Sequence, residues 1–168
     1  MHRSYYYLTA SLPYLFFGRE MPIAIETFFD ECAKWLSGED LKILQEFRVD
    51  NTEENKRDST LVLGWKRFNK EIKEELAKEK ALKKNKTAGK SSSTYVSEIY
   101  DEKTPLLMEE RYEKIRWTFI EQQEFHYGFD VNWLLIYLVK LRILERLAQF
   151  NKVKGMYNFE KACSIGNE

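Results

Sequence analysis

The sequence predicts an all-α protein, a helical bundle of about five to six helices with an aromatic N-terminal segment and a mobile Lys/Ser-rich loop. Three observations predict it. Seven Gly and three Pro in 168 residues, beside 32% charged residues, make a helix-forming composition rather than that of a sandwich or barrel. Apolar residues recur at steps of three and four over long stretches, and no alternating strand pattern interrupts them. Hydrophobic residues make up 43% of the chain and aromatics 15%, enough for a real core. The length suits a single helical domain over residues 1–168.

The elements follow in order. Residues 4–18 are aromatic, end at Gly18 and break at Leu12-Pro13, because the residue before proline avoids the helical region. They read as a short buried segment, extended or a helical turn. Pro22 precedes a helix at about 24–36, whose Ile25, Phe28, Phe29, Cys32, Trp35 and Leu36 recur at helical spacing. Ser37-Gly38-Glu39-Asp40 has the capping-box form, so Ser37 caps a second helix and Asp40 returns the bond. That helix buries Leu41, Leu44 and Phe47, and its short connection predicts antiparallel packing on its neighbour.

Asp50 to Asp58 is a polar linker. After it, Leu61, Trp65, Phe68, Ile72 and Leu76 form a narrow seam, the pattern of a helix packed along one stripe only. The seam fades into a Lys, Ser and Gly tract, and residues 83–98 read as a flexible loop. Thr104-Pro105 starts the next helix, with a hydroxyl cap followed by proline at the first helical position. Met108, Tyr112, Ile115 and Phe119 mark its buried face, and Gly128 closes it near 127. Asp130 caps a helix whose residues 133–150 are the most apolar in the chain, which makes it the central one. Gly155 ends or kinks it, and Tyr157 to Ile165 form one last helix.

The chemistry on offer is narrow. Lys plus Arg and Asp plus Glu number 27 each, a balance that argues against a dedicated nucleic-acid binder. Cys32 and Cys163, far apart and beside apolar or small residues, fit buried intracellular thiols rather than a disulfide. The longest apolar run, Trp133 to Val139, is far short of the about 20 residues that cross a bilayer. Ser4, Thr9, Ser11 and Pro13 interrupt the apolar start that follows His2-Arg3, so a cytoplasmic location is expected rather than secretion. Neither glycine-rich phosphate-binding motif occurs. His2 and His126 are the only histidines, neither at i, i+4 from the other nor beside a cysteine, and His126 reads as a helix-end packing residue. Glu109, Glu110, Glu113, Glu121 and Glu124 read as one solvated helix face. No catalytic set, metal or cofactor is predicted, and the protein is expected not to be an enzyme.

Between Lys56 and Lys90 there are 12 Lys/Arg against five acids. The plain reading is a solvated helix face running into a soluble loop. The functional alternative is a regulatory protein that binds nucleic acid through Lys66–Lys90.

Tyr5 to Pro13 read Tyr-Tyr-Tyr-Leu-Thr-Ala-Ser-Leu-Pro. This stretch resembles the Y-Y-Y-L-x-[SA]-S-L-P opening of an uncharacterised bacterial family encoded alongside V/A-type ATPase subunits. Pro22-Ile23, Phe28, Cys32 and Leu36 to Leu41 resemble its second block, and Trp65, Phe68, Ile72, Lys73, Glu75 and Leu76 its third. Together the blocks span about half the chain, and members can run longer than 168 residues, so this chain reads as a short member or a fragment. Leu135 to Gly155, with Tyr137-Leu138, Lys140, Glu145 and Arg146, is also similar to a helix of the central-stalk adaptor that joins the rotating shaft of these ATPases to their membrane ring. Lys154-Gly155 reverses the Gly-Lys of that pattern. The resemblance implies a non-catalytic accessory or central-stalk-like component of a V/A-type ATPase, peripheral at the inner membrane through its complex. It also implies partner contact through Tyr5, Tyr6 and Tyr7 and through Lys140, Arg142, Glu145 and Arg146.

Overall fold

In a computed structural model, residues 4–84 and 94–150 are described; they form seven α-helices and one 3₁₀ turn with no strand. The all-α expectation holds. The most apolar segment is α7 (Val131–Gln149), which starts where Asp130 accepts the Trp133 N–H at 2.9 Å. Every residue from Leu134 to Leu141 is buried. A helix apolar on all sides needs neighbours on all sides. α6 (Pro105–Gln123) packs along it, and α2 (Ile25–Trp35) and α3 (Gly38–Glu46) cover other faces. α4 (Thr60–Lys84) meets α6, and the short α5 (Thr94–Tyr100) bridges the two.

The main core draws on both ends of the described chain, from Tyr5 and Leu8 to Leu141 and Leu144. A smaller cluster of Ile72, Ile99 and Ile115 sits where α4, α5 and α6 meet. The N-terminal segment is the helical turn α1 (Tyr6–Ser11), which stops at Leu12 in extended backbone before Pro13. Leu8, Leu12 and Leu15 are buried, and the Tyr137 hydroxyl donates to the Pro13 carbonyl at 2.8 Å. Gly18 then turns the chain at φ 72°, a backbone that costs a glycine little.

Several local expectations shift. Ser37 does cap α3, accepting the Asp40 N–H at 3.2 Å, but the Asp40 carboxylate accepts from the Ser37 and Tyr5 hydroxyls instead of returning the backbone bond. The Ser37 N–H points to the Tyr5 hydroxyl, at 3.5 Å. α3 packs mainly on α7 rather than along α2, because extended backbone at Leu36 and Ser37 redirects the chain and α7 offers the larger apolar surface.

α4 buries more than one stripe. Val62, Lys66 and Asn69 are inside as well, with Lys66 paired to Asp58 at 2.7 Å and the Asn69 amide donating to the Trp65 carbonyl. Residues 94–98 belong to α5 rather than to a flexible loop, since Val96 and Ile99 gain burial at the junction with α4 and α6. Residues 83–84 end α4, while 85–93 lie outside the described residues, as do Gly155, Tyr157–Ile165 and Cys163. α6 begins as expected, Thr104 accepting the Leu107 N–H, but its most buried residues include Glu113, Arg116, Trp117 and Ile120. His126 ends the 3₁₀ turn in an exposed position.

Candidate functional site

Two features stand out from a well-packed bundle: a ribbon of exposed aromatic rings and a charged cleft.

The ribbon begins with the tyrosine triplet, whose members part ways. Tyr5 is buried; its N–H donates to the Phe129 carbonyl and its hydroxyl reaches Asp40. Because a helical turn follows, Tyr6 and Tyr7 project outward and are 55% and 75% exposed. Tyr6 meets the Phe129 ring edge-on, with centroids 4.9 Å apart, and contacts Tyr7 at 5.8 Å. Tyr7 in turn stacks on the exposed Trp35 at 6.4 Å. Four rings from three parts of the chain therefore form one continuous apolar surface. Phe129 holds its place with φ 58°, a left-handed backbone that costs a bulky residue on the order of 1–3 kcal/mol. The bond from Tyr5 is one interaction that fixes it there.

The cleft, about 700 Å³, lies among α2, the end of α3, α6 and α7. Its floor carries a fully buried ion pair. Arg116 grips Glu113 with Nη1 at 3.0 and 3.2 Å from the two carboxylate oxygens, and its Nη2 meets Asp50 at 3.0 Å and the Val49 carbonyl at 3.4 Å. Trp65 and Tyr112 flank the guanidinium at 5.1 and 5.3 Å. Arg146 closes the network from α7, with Nε 3.2 Å from Glu113 and Nη2 3.1 Å from Glu109. Burial pushes the Glu113 carboxyl above its ordinary value against the pull of Arg116 and Arg146. The solvated-face expectation thus fails at Glu113, because two arginines make a place for a carboxylate inside.

The residues expected on one partner-binding face do not share one surface. Lys140 is buried on the other flank of α7, its ammonium held by Glu124 at 2.8 Å and Glu121 at 3.4 Å and lying over the Trp117 ring. Arg142 and Glu145 pair at 2.9 Å and line the cleft with Arg146. The ribbon residues Trp35 and Phe129 escaped the sequence reading. Trp35 read as core because it follows the helical apolar period, and nothing local to Phe129 marked it.

Three cations of the basic stretch are engaged by groups of the chain itself. Lys66 holds Asp58, Arg67 holds Glu54 in a two-point pair, and Lys73 caps the Asp50 carbonyl. Burial raises the Cys32 thiol to about 12, so it is neutral and inert near neutral pH. Among the described residues no group of three or more His, Cys, Asp or Glu could hold a metal ion, and no helix is long and apolar enough to cross a membrane.

Fold and surfaces together define a helical protein with a paired charge network inside and an exposed aromatic surface outside. The chain belongs to a family described as protein of unknown function (DUF2764), whose profile matches residues 56–164. The cleft residues of α6 and α7 lie within the match; Tyr6, Tyr7 and Trp35 lie before it. No curated protein and no solved structure matches the chain.

Proposed function

We propose that this protein is a non-catalytic component that docks onto protein subunits through the Tyr6, Tyr7, Trp35 and Phe129 ribbon. The observation that carries the reading is the continuity of four exposed rings, one of them held on strained backbone. Exposed contiguous apolar patches mark interaction surfaces, and Tyr, Trp and Phe are enriched at interface centres. The partner we propose is a V/A-type ATPase, with this chain as an accessory or central-stalk-like element, cytoplasmic and peripheral to the membrane through the complex. Support for that choice is the resemblance of Tyr5–Pro13 and the two later blocks. The ribbon adds that two of the motif's three tyrosines are free to make contact.

The test is affinity capture of the tagged full chain from its native membranes, scored for ATPase subunits by mass spectrometry. Wild type should recover them, and a Tyr7→Ala/Trp35→Ala variant with unchanged circular dichroism should recover at least tenfold less, since interface aromatics each contribute more than about 1 kcal/mol. No ATPase subunit captured by wild type would end the ATPase reading. Equal capture by the variant would end the ribbon's role.

A further inference from the structure

The charged cleft has chemistry that the docking ribbon does not use. Four arginines line it, Arg48, Arg116, Arg142 and Arg146, against the acids Asp50, Glu113 and Glu145. Glu113 is wholly spent on Arg116 and Arg146 in the interior. The two outer arginines are held only by local bonds. Arg48 is exposed and uses Nη1 on the carbonyls of Gln45 and Phe47 at the end of α3, and Arg142 is 44% exposed and uses Nη1 on Glu145. Each keeps further donors of a fork shaped for a carboxylate.

Asp50 supplies a second, independent observation. Its side chain is 64% exposed, yet its carboxylate sits on the deeply buried Arg116, approaching it from the cleft side of the network. It stands where an incoming carboxylate would bind. Arg116 also keeps one buried donor, Nε, without an acceptor, so its own acids do not saturate it. Between the charges the wall is apolar, with the partly exposed Phe47 and Val49 set over the buried Leu138 and Ile143. A space of about 700 Å³ is far larger than an inorganic anion needs and suits a few side chains.

We infer that the cleft receives an acidic, partly apolar peptide segment of a protein partner. Arg48 and Arg142 bind its carboxylates at the mouth, its apolar side chains lie on the partly exposed Phe47 and Val49, and Asp50 occupies the Arg116 position in the free protein. This does not rest on the ATPase reading, and its test uses purified protein alone.

A fluorescent pool of short peptides in which Glu or Asp alternates with apolar residues is titrated onto the full chain, with a matched pool carrying Gln and Asn as control. The acidic pool should bind saturably and the neutral pool at least tenfold more weakly, the loss for about 1.4 kcal/mol of charged hydrogen bonding. Arg48→Gln and Arg142→Gln, both at exposed positions, should each weaken binding, and Asp50→Ala should strengthen it by vacating the Arg116 position. In nitrogen-15 spectra the acidic pool should shift the Arg142 Nε signal. Absence of saturable binding, equal binding of the neutral pool, or indifference to both arginine variants would overturn the inference. Displacement of the peptides by equimolar inorganic phosphate would overturn it too, making the cleft a small-anion site.

Discussion

Helices α6 and α7 are each 19 residues long, each starts on a side-chain cap, and they pack against one another. Their interiors differ. α7 buries an almost unbroken apolar surface, with Lys140 as its one buried cation. α6 buries Glu113 and Arg116 beside Ile115, Trp117 and Ile120. Apart from Lys140, burial of α7 follows from the hydrophobic effect, which asks nothing of orientation. Burial of α6 depends on specific partners, because each charge inside must meet its opposite at bonding distance. The first of these, α7, organises the bundle, and α6 ties it to the Val49–Asp50 loop through Arg116.

The comparison breaks most sharply at Glu113. Glu113→Ala should destabilise the fold by about 3–5 kcal/mol, because Arg116 keeps a buried charge without its main partner. Urea denaturation measures it, and a loss under about 1 kcal/mol would mean the pair is not structural. The same carboxyl gives a pH test. Burial holds its proton affinity above the ordinary 4.5, so the folded chain binds that proton more tightly than the unfolded chain does. This contribution is present below the ordinary value and is lost as pH rises through the raised one. The stability of wild type relative to Glu113→Gln should therefore fall as pH rises from 4.5, in denaturation series at stepped pH.

On the α7 side, Leu134→Ala should cost about 2–5 kcal/mol by opening a cavity at a fully buried position, with no pH dependence of its own. A pH-dependent loss there would blur the distinction between the two helices. The smallest effect is expected where the helices are alike. Thr104→Ala, which removes the α6 cap, should cost about 1 kcal/mol by thermal or urea denaturation.

Legibility followed the range of the forces involved. The caps at Ser37, Thr104 and Asp130, the break at Leu12-Pro13 and the centrality of α7 were all readable, because each depends on neighbours within a few residues or on a period along one helix. α5 was hidden because a short helix beside a Lys/Ser tract has too few residues to show a period. Its burial comes from Ile72 and Ile115, distant in sequence. The buried Glu113 was misread for a related reason: its i+3 partner Arg116 was visible, but Arg146 and Asp50 reach the pair only across the fold. The aromatic ribbon was half legible. The tyrosine run was plain, yet the split between a buried Tyr5 and an exposed Tyr6 and Tyr7 needed the turn of α1 and the arrival of Phe129 and Trp35.

By itself, then, the sequence determined an all-helical chain, most of its helix starts and the apolar helix at its centre, since these rest on local geometry and on the amount of apolar surface. Only the tertiary structure decided which charges go inside and which aromatics stay outside. An ion pair needs its partner within bonding distance and a continuous aromatic surface needs its rings side by side, and folding alone brings residues 50, 113 and 146, or 6, 7, 35 and 129, to the same place.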